Sequence, residues 1–214
     1  RRGFPIPAYE LAALDIVRRH VPRLRSYHEI GSGIGTLPFL LALSGFRAFG
    51  IERDQRRHAS AVAIWQELAS KSGVAATDCR LLLGSFPDAV KRLDLSQSIA
   101  IITDFITTQT PEQLQSILAG LRRYRFVLLD LQRFCVKRER REQQSALLRE
   151  LAEDGFHLTL EIADESGNDY TFSLFENAAA VQRRRGTGAW SRVIRPWRRA
   201  RGPRPSTLAD QSGS

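Results

Sequence analysis

Methionine is absent from all 214 residues, position 1 included, so a segment upstream of Arg1 is expected. Cysteine occurs twice, at Cys79 and Cys135, without metal-ligand spacing. That excludes a disulfide framework and makes a zinc site a poor reading, so no metal is expected. No apolar run approaches the roughly 20 residues that cross a bilayer, and Arg1-Arg2-Gly3-Phe4-Pro5 leads into no signal-peptide core. A cytoplasmic protein with no membrane partner is the expectation. Lysine is scarce, with 3 residues against 29 arginines, a bias that GC-rich coding produces without selection for phosphate binding. The formal charge of +9 therefore needs to be located before it is interpreted. Residues 1–182 hold 23 basic against 22 acidic side chains, a net of +1, whereas 183–214 hold 9 arginines against Asp210, a net of +8. The basic character belongs to the end of the chain.

Hydrophobic residues make up 43% and charged residues 26%, which is the balance of an ordinary globular domain. One domain over 1–182 and an Arg-rich, disordered tail over 183–214 follow, because the tail has too few apolar residues to offset the entropy of ordering it. Trp190, Val193, Ile194 and Trp197 are the exceptions, able to dock on the body or meet a partner. The two readings of such a tail are a solvated end and a contact with nucleic acid, the first being the commoner.

Within the body, helical and strand periods alternate. Leu11, Leu14, Val17 and Val21 mark a first helix, and Tyr27 to Ile30 a strand. A helix through Leu37, Leu40 and Leu41 stops at Gly45. The strand Ala48–Ile51 is followed by Asp54 as N-cap of a helix burying Ala61, Trp65 and Leu68. Further strands are expected at 79–83, 98–103 and 126–131, with helices at 111–124 and 138–154. Alternation from Phe156 to Ile162, then Glu165-Ser166-Gly167-Asn168, then 170–175, predicts an antiparallel hairpin. Five βα units and this hairpin predict an α/β fold: a Rossmann-like, doubly wound, mostly parallel sheet of seven strands with the hairpin at one edge.

The strongest chemical signal is His28-Glu29-Ile30-Gly31-Ser32-Gly33-Ile34-Gly35, a strand that enters a glycine turn and leaves as a helix. Glycines let a ligand approach the backbone, and the following helix offers unpaired N–H groups to a nucleotide-like ligand. A dinucleotide fingerprint would need Gly or Ala where Thr36 stands. Glu29 is likewise unexpected beside a dinucleotide, but suits a ligand that carries an ammonium group.

On these residues the chain resembles the class I S-adenosylmethionine-dependent methyltransferases, whose first motif is an acid followed by x-G-x-G-x-G. Glu29, Gly31, Gly33 and Gly35 match it. The resemblance spans about residues 1–176 and implies S-adenosylmethionine as cofactor and a methyl acceptor that is a small molecule or a protein. It places Glu52, at the second strand's end, on both ribose hydroxyls, and Ser85 and Phe86 beside the adenine, where the family often has an acid. A narrower likeness, to the Dot1-type histone lysine methyltransferases, rests on residues 31–35, Gly50-Ile51-Glu52, Gly84-Ser85-Phe86 and Asp104-Phe105. Asp104 stands where that group has Asn, and Arg2-Gly3-Phe4 stands where it has Tyr-Gly-Glu.

Asp104, after the fourth strand, is the candidate catalytic residue, to orient the acceptor or take its proton; capping or solvation accounts for it equally well. Thr107, Thr108 and Gln109 read as a polar loop, and Tyr9 and Phe4 as core or staple residues rather than a lid. His58 is expected to be solvated and His157 to face the polar side of its strand. The lack of a clear His or Lys base leans toward N-methylation. Glu29 is expected to bridge the loop N–H groups as well as the ligand, and Glu52 to serve the ligand alone. The rival readings are an NAD(P)-dependent oxidoreductase and a non-catalytic module that binds nucleic acid through the tail.

Overall fold

A computed structural model describes residues 6–103, 109–132, 138–164 and 170–179 of the chain. Asp104, Thr107, Thr108, Phe4, Cys135, the turn at 165–168 and the whole Arg-rich tail lie outside the described residues. Five parallel strands, β1 (Ser26–Ile30), β2 (Ala48–Glu52), β3 (Cys79–Leu83), β4 (Ser98–Ile102) and β5 (Phe126–Asp130), are joined by an antiparallel pair, β6 (Phe156–Ala163) and β7 (Thr171–Asn177). Their order is β3-β2-β1-β4-β5-β7-β6, so the hairpin extends one edge and β7 inserts next to β5.

The helices are α1 (Ala8–His20), α2 (Thr36–Leu43), α3 (Gln55–Ser72), α4 (Pro111–Leu121) and α5 (Arg138–Glu153). Successive strand residues face opposite sides, and the core divides accordingly. One cluster joins Tyr27, Ile99 and Ile101 of the sheet to Ala13 and Val17 of α1, Leu37 and Leu41 of α2, and Ala61 and Trp65 of α3. The other joins Ile30, Ala100 and Val127 to Leu118 and Leu121 of α4 and Leu147 and Leu151 of α5. β1, β2 and β4 are buried throughout; β2 and β4 accordingly read as mainly apolar runs, whereas β1 buries Ser26, His28 and Glu29 as well.

The β3–β4 crossover, for which no helix is expected, holds a short 3-10 turn at Asp88–Val90, whose Val90 fills the second cluster. One expectation changes in part. Of the four residues that mark the first helix, Val17 and Val21 are buried and Leu14 packs against the first cluster, but Leu11 is 47% exposed and the buried stripe of α1 takes in Glu10, Ala13 and Ile16 instead. Asp54 caps α3 as expected, its carboxylate accepting from the N–H groups of Arg56 and Arg57. Thr110 and Gln113 form a reciprocal capping box on α4.

Candidate active site

A cavity of about 620 Å³ opens at the carboxyl ends of β1 to β4, where α/β sheets bind ligands. It is lined by the glycine loop, the ends of β2 and β3, Thr103, and residues from α1 and α4. The loop is anchored on β2: the N–H groups of Gly31 and Ser32 both donate to the Ile51 carbonyl, at 2.9 and 3.0 Å. Two glycines make this geometry possible. Gly35 has φ +88° and ends the loop as N-cap of α2, with the Phe39 ring so close that a Cβ would lie 2.6 Å from it. Gly50, on β2, leaves room for Ser32, whose Oγ would be 2.8 Å from a Cβ there. No side chain caps α2, and Thr36 of its first turn lines the cavity.

The two expected acids take different roles from those assigned on sequence alone. Glu52, 7% exposed, accepts from the N–H of Gly33 through Oε2 and from the N–H of Asp54 through Oε1, both at 2.8 Å. It is the side chain that ties the glycine loop to the end of β2. A carboxylate has about four acceptor positions, so each oxygen keeps one for a ligand hydroxyl. Glu29 bridges no loop N–H group. It shares a face of β1 with Tyr27, is 4% exposed, and receives the Thr103 hydroxyl at 3.3 Å on Oε1, while its Oε2 is buried with no hydrogen-bond partner. Burial, then the neighbouring Glu10 carboxylate, pushes its carboxyl well above the usual range. An unpartnered buried oxygen at the edge of a cavity is a place for a ligand donor.

Glu10 is the residue that the sequence reading missed. It lies in the buried stripe of α1, is 8% exposed, lines the cavity, and has an unpartnered Oε2; burial pushes its carboxyl up to about 7. The available signal was an acid three residues before Ala13 and six before Ile16, on the face that packs against the sheet. Thr103, Arg53 and Arg57 also line the cavity without having been singled out.

At the β3 end, Ser85 is exposed and lines the cavity. Phe86 lines it too, half-buried, with its ring against Gly120 of α4, where a Cβ would lie 2.7 Å away. Tyr9 and Gln109 reach the same cavity. His157 is exposed, as expected, but His58 is half-buried, its Nε2 3.3 Å from the Leu81 carbonyl oxygen. His28 is buried on the opposite face of β1, 2.8 Å from Ser26 Oγ and 3.1 Å from the Tyr124 hydroxyl. It is part of the core and not of the cavity lining.

Neither a protein-family model nor a curated protein sequence matches the chain. Solved structures do. The methyltransferase domain of bacterial CtHen1-C superposes with a TM-score of 0.60 at 16% identity, over 78% of this chain and 96% of that one. The magnesium protoporphyrin IX methyltransferase of Synechocystis PCC 6803, with bound S-adenosylmethionine, gives 0.59 at 14% identity, over 79% and 78%. The glycopeptide N-methyltransferase MtfA, also in complex with S-adenosylmethionine, gives 0.58 at 14%, over 82% and 98%. The fold is that of the class I methyltransferases. These likenesses carry the class I fold and not the narrower resemblance to histone lysine methyltransferases. Within that fold, Glu29, Gly31, Gly33, Glu52, Ser85 and Phe86 all line one cavity, and Gly35 ends the loop as N-cap of α2 without lining it. No described helix is long and apolar enough to cross a membrane. Among the described residues no group of three or more His, Cys, Asp or Glu is arranged to hold a metal.

Proposed function

We propose that the protein is an S-adenosylmethionine-dependent methyltransferase acting on nitrogen, in a small molecule or a protein lysine. The observation that carries this reading is the pair of carboxylates flanking the glycine loop: Glu52 with open acceptor positions at one end and the orphaned Glu29 oxygen at the other. A ligand with a ribose diol at one end and an ammonium at the other matches both. A dinucleotide matches only the first. Ser85 and Phe86 supply a hydrogen-bonding group and an aromatic face for a base near Glu52.

When bound, S-adenosylmethionine supplies an electrophilic methyl group on a positively charged sulfur. What the chain must add is placement. Glu52 and Glu29 fix the two ends, and the glycine loop lets the ligand lie against backbone, so the methyl is presented along one line. Holding the reacting atoms about 3 to 3.5 Å apart in the right orientation accounts for roughly 7 to 11 kcal/mol of a barrier. No His or Lys lines the described cavity, which suits a nitrogen acceptor that needs only to lose a proton. Thermal melting of the full chain tests the reading. S-adenosylhomocysteine should raise the melting temperature and NAD or NADP should not; a rise with NAD alone would replace the cofactor assignment.

A further inference from the structure

Glu10 and Glu29 come from different elements, α1 and β1, yet both are more than nine-tenths buried, both line the cavity, and each keeps one oxygen without a hydrogen-bond partner. Among the described residues, the Thr103 hydroxyl on Glu29 is the one hydrogen bond to either carboxylate. Two buried carboxylates lining one cavity do not both ionise readily, and a pair of this kind keeps a proton or takes up a cation.

We propose that Glu10 and Glu29 form an acid pair that holds one proton in the free protein and exchanges it for the ammonium of the cofactor's amino-acid end. The inference rests on the methyltransferase reading above and adds Glu10 as a specificity residue supplied by α1. The exchange is balanced: one carboxyl O–H bond breaks, its proton leaves to solvent, and the ammonium donates N–H groups to the carboxylate so freed and to the one already ionised. No other bond changes.

The surroundings support this. The other titratable or charged groups that face the pair or line its cavity among the described residues are Tyr9, Glu52, Arg53, Arg57, Asp88 and the buried Cys79. Arg53 and Arg57 belong to the Glu52 end by sequence, next to it and in the first turn of α3. Cys79, pushed up to about 12 by burial and by Glu29, remains a neutral thiol. Glu10 is raised by burial, and Glu29 by burial and then by Glu10, the direction expected of two neighbouring buried carboxyls.

Calorimetry of the full chain in two buffers of different ionisation heat, near pH 7, tests the exchange. S-adenosylhomocysteine carries the ammonium, and methylthioadenosine has the same nucleoside without it. The parent should release about one proton per S-adenosylhomocysteine bound and none with methylthioadenosine. Glu10→Gln should weaken S-adenosylhomocysteine by about tenfold to a hundredfold, abolish most of the proton release, and leave methylthioadenosine unchanged. Equal proton release with the two ligands, zero included, would overturn the acid pair while leaving the cofactor reading in place. So would an unchanged S-adenosylhomocysteine affinity in a folded Glu10→Gln protein. Failure of the parent to bind either nucleoside would overturn the cofactor reading, and the acid pair with it.

Discussion

Replacing Glu52 by alanine should cost stability even with no ligand present, because its carboxylate holds two backbone N–H groups at 2.8 Å in a site only 7% exposed. Hydrogen bonds to a charged group are worth roughly 1.5 to 3 kcal/mol each, and water entering from the cavity re-solvates part of what is lost. The expected net cost is therefore about 2 to 4 kcal/mol, a large fraction of the roughly 5 to 15 kcal/mol of a typical domain. In urea that is a midpoint lower by about 1 to 2 M. Glu52→Gln keeps one acceptor oxygen and should lose about half as much. Glu29→Gln is the contrast: the carboxylate has a single hydrogen bond, at 3.3 Å, and an orphaned oxygen, so its removal should leave the fold as stable or more stable. Urea unfolding of the three variants, with amide exchange at Gly33 and Asp54, measures all of this. A Glu52→Ala protein with the parent's midpoint and the parent's protection at those two amides would refute the latch.

Gly50→Ala should displace Ser32 and the loop, since its Cβ would sit 2.8 Å from Ser32 Oγ and 2.9 Å from a Leu81 methyl; a loss of about 1 to 3 kcal/mol and weaker nucleoside binding are expected in denaturation and titration experiments. Two buried groups give opposite pH signatures. His28, lowered from about 6.5 to about 3 by burial and then Arg47, stays neutral in the folded state, so stability should fall as pH drops through that window. Glu10, raised from 4.5 to about 7 by burial, contributes stability that is fully present below about 4.5 and lost as pH rises to about 7. Unfolding series at stepped pH should therefore show Glu10→Gln gaining on the parent between those values, and a constant difference would contradict the buried carboxyl.

Much of the fold was legible because β2 to β5 are short, mainly apolar segments, β6 alternates, and Asp54, Gly45 and the 111–121 segment carry local capping or stop signals. The glycine loop and Glu52 were legible for a related reason: a strand end, a turn and a helix start are all local features. What was hidden depends on contacts between segments. Glu10 reads as an ordinary helix acid until α1 is seen packed with that face toward the sheet. The exchange of roles between Glu29 and Glu52 turns on which carboxylate meets the Gly33 N–H group, 19 positions from Glu52 and only 4 from Glu29. The His28, Ser26, Ser98 and Tyr124 network joins β1, β4 and the segment after α4.

The most direct test of the account is a crystal structure of the chain with S-adenosylhomocysteine. It should show the ligand in the cavity above the glycine loop, with both ribose hydroxyls on Glu52 and the ammonium on the orphaned oxygens of Glu29 and Glu10. A ligand bound elsewhere, or lying in this cavity with its ribose away from Glu52, would contradict it.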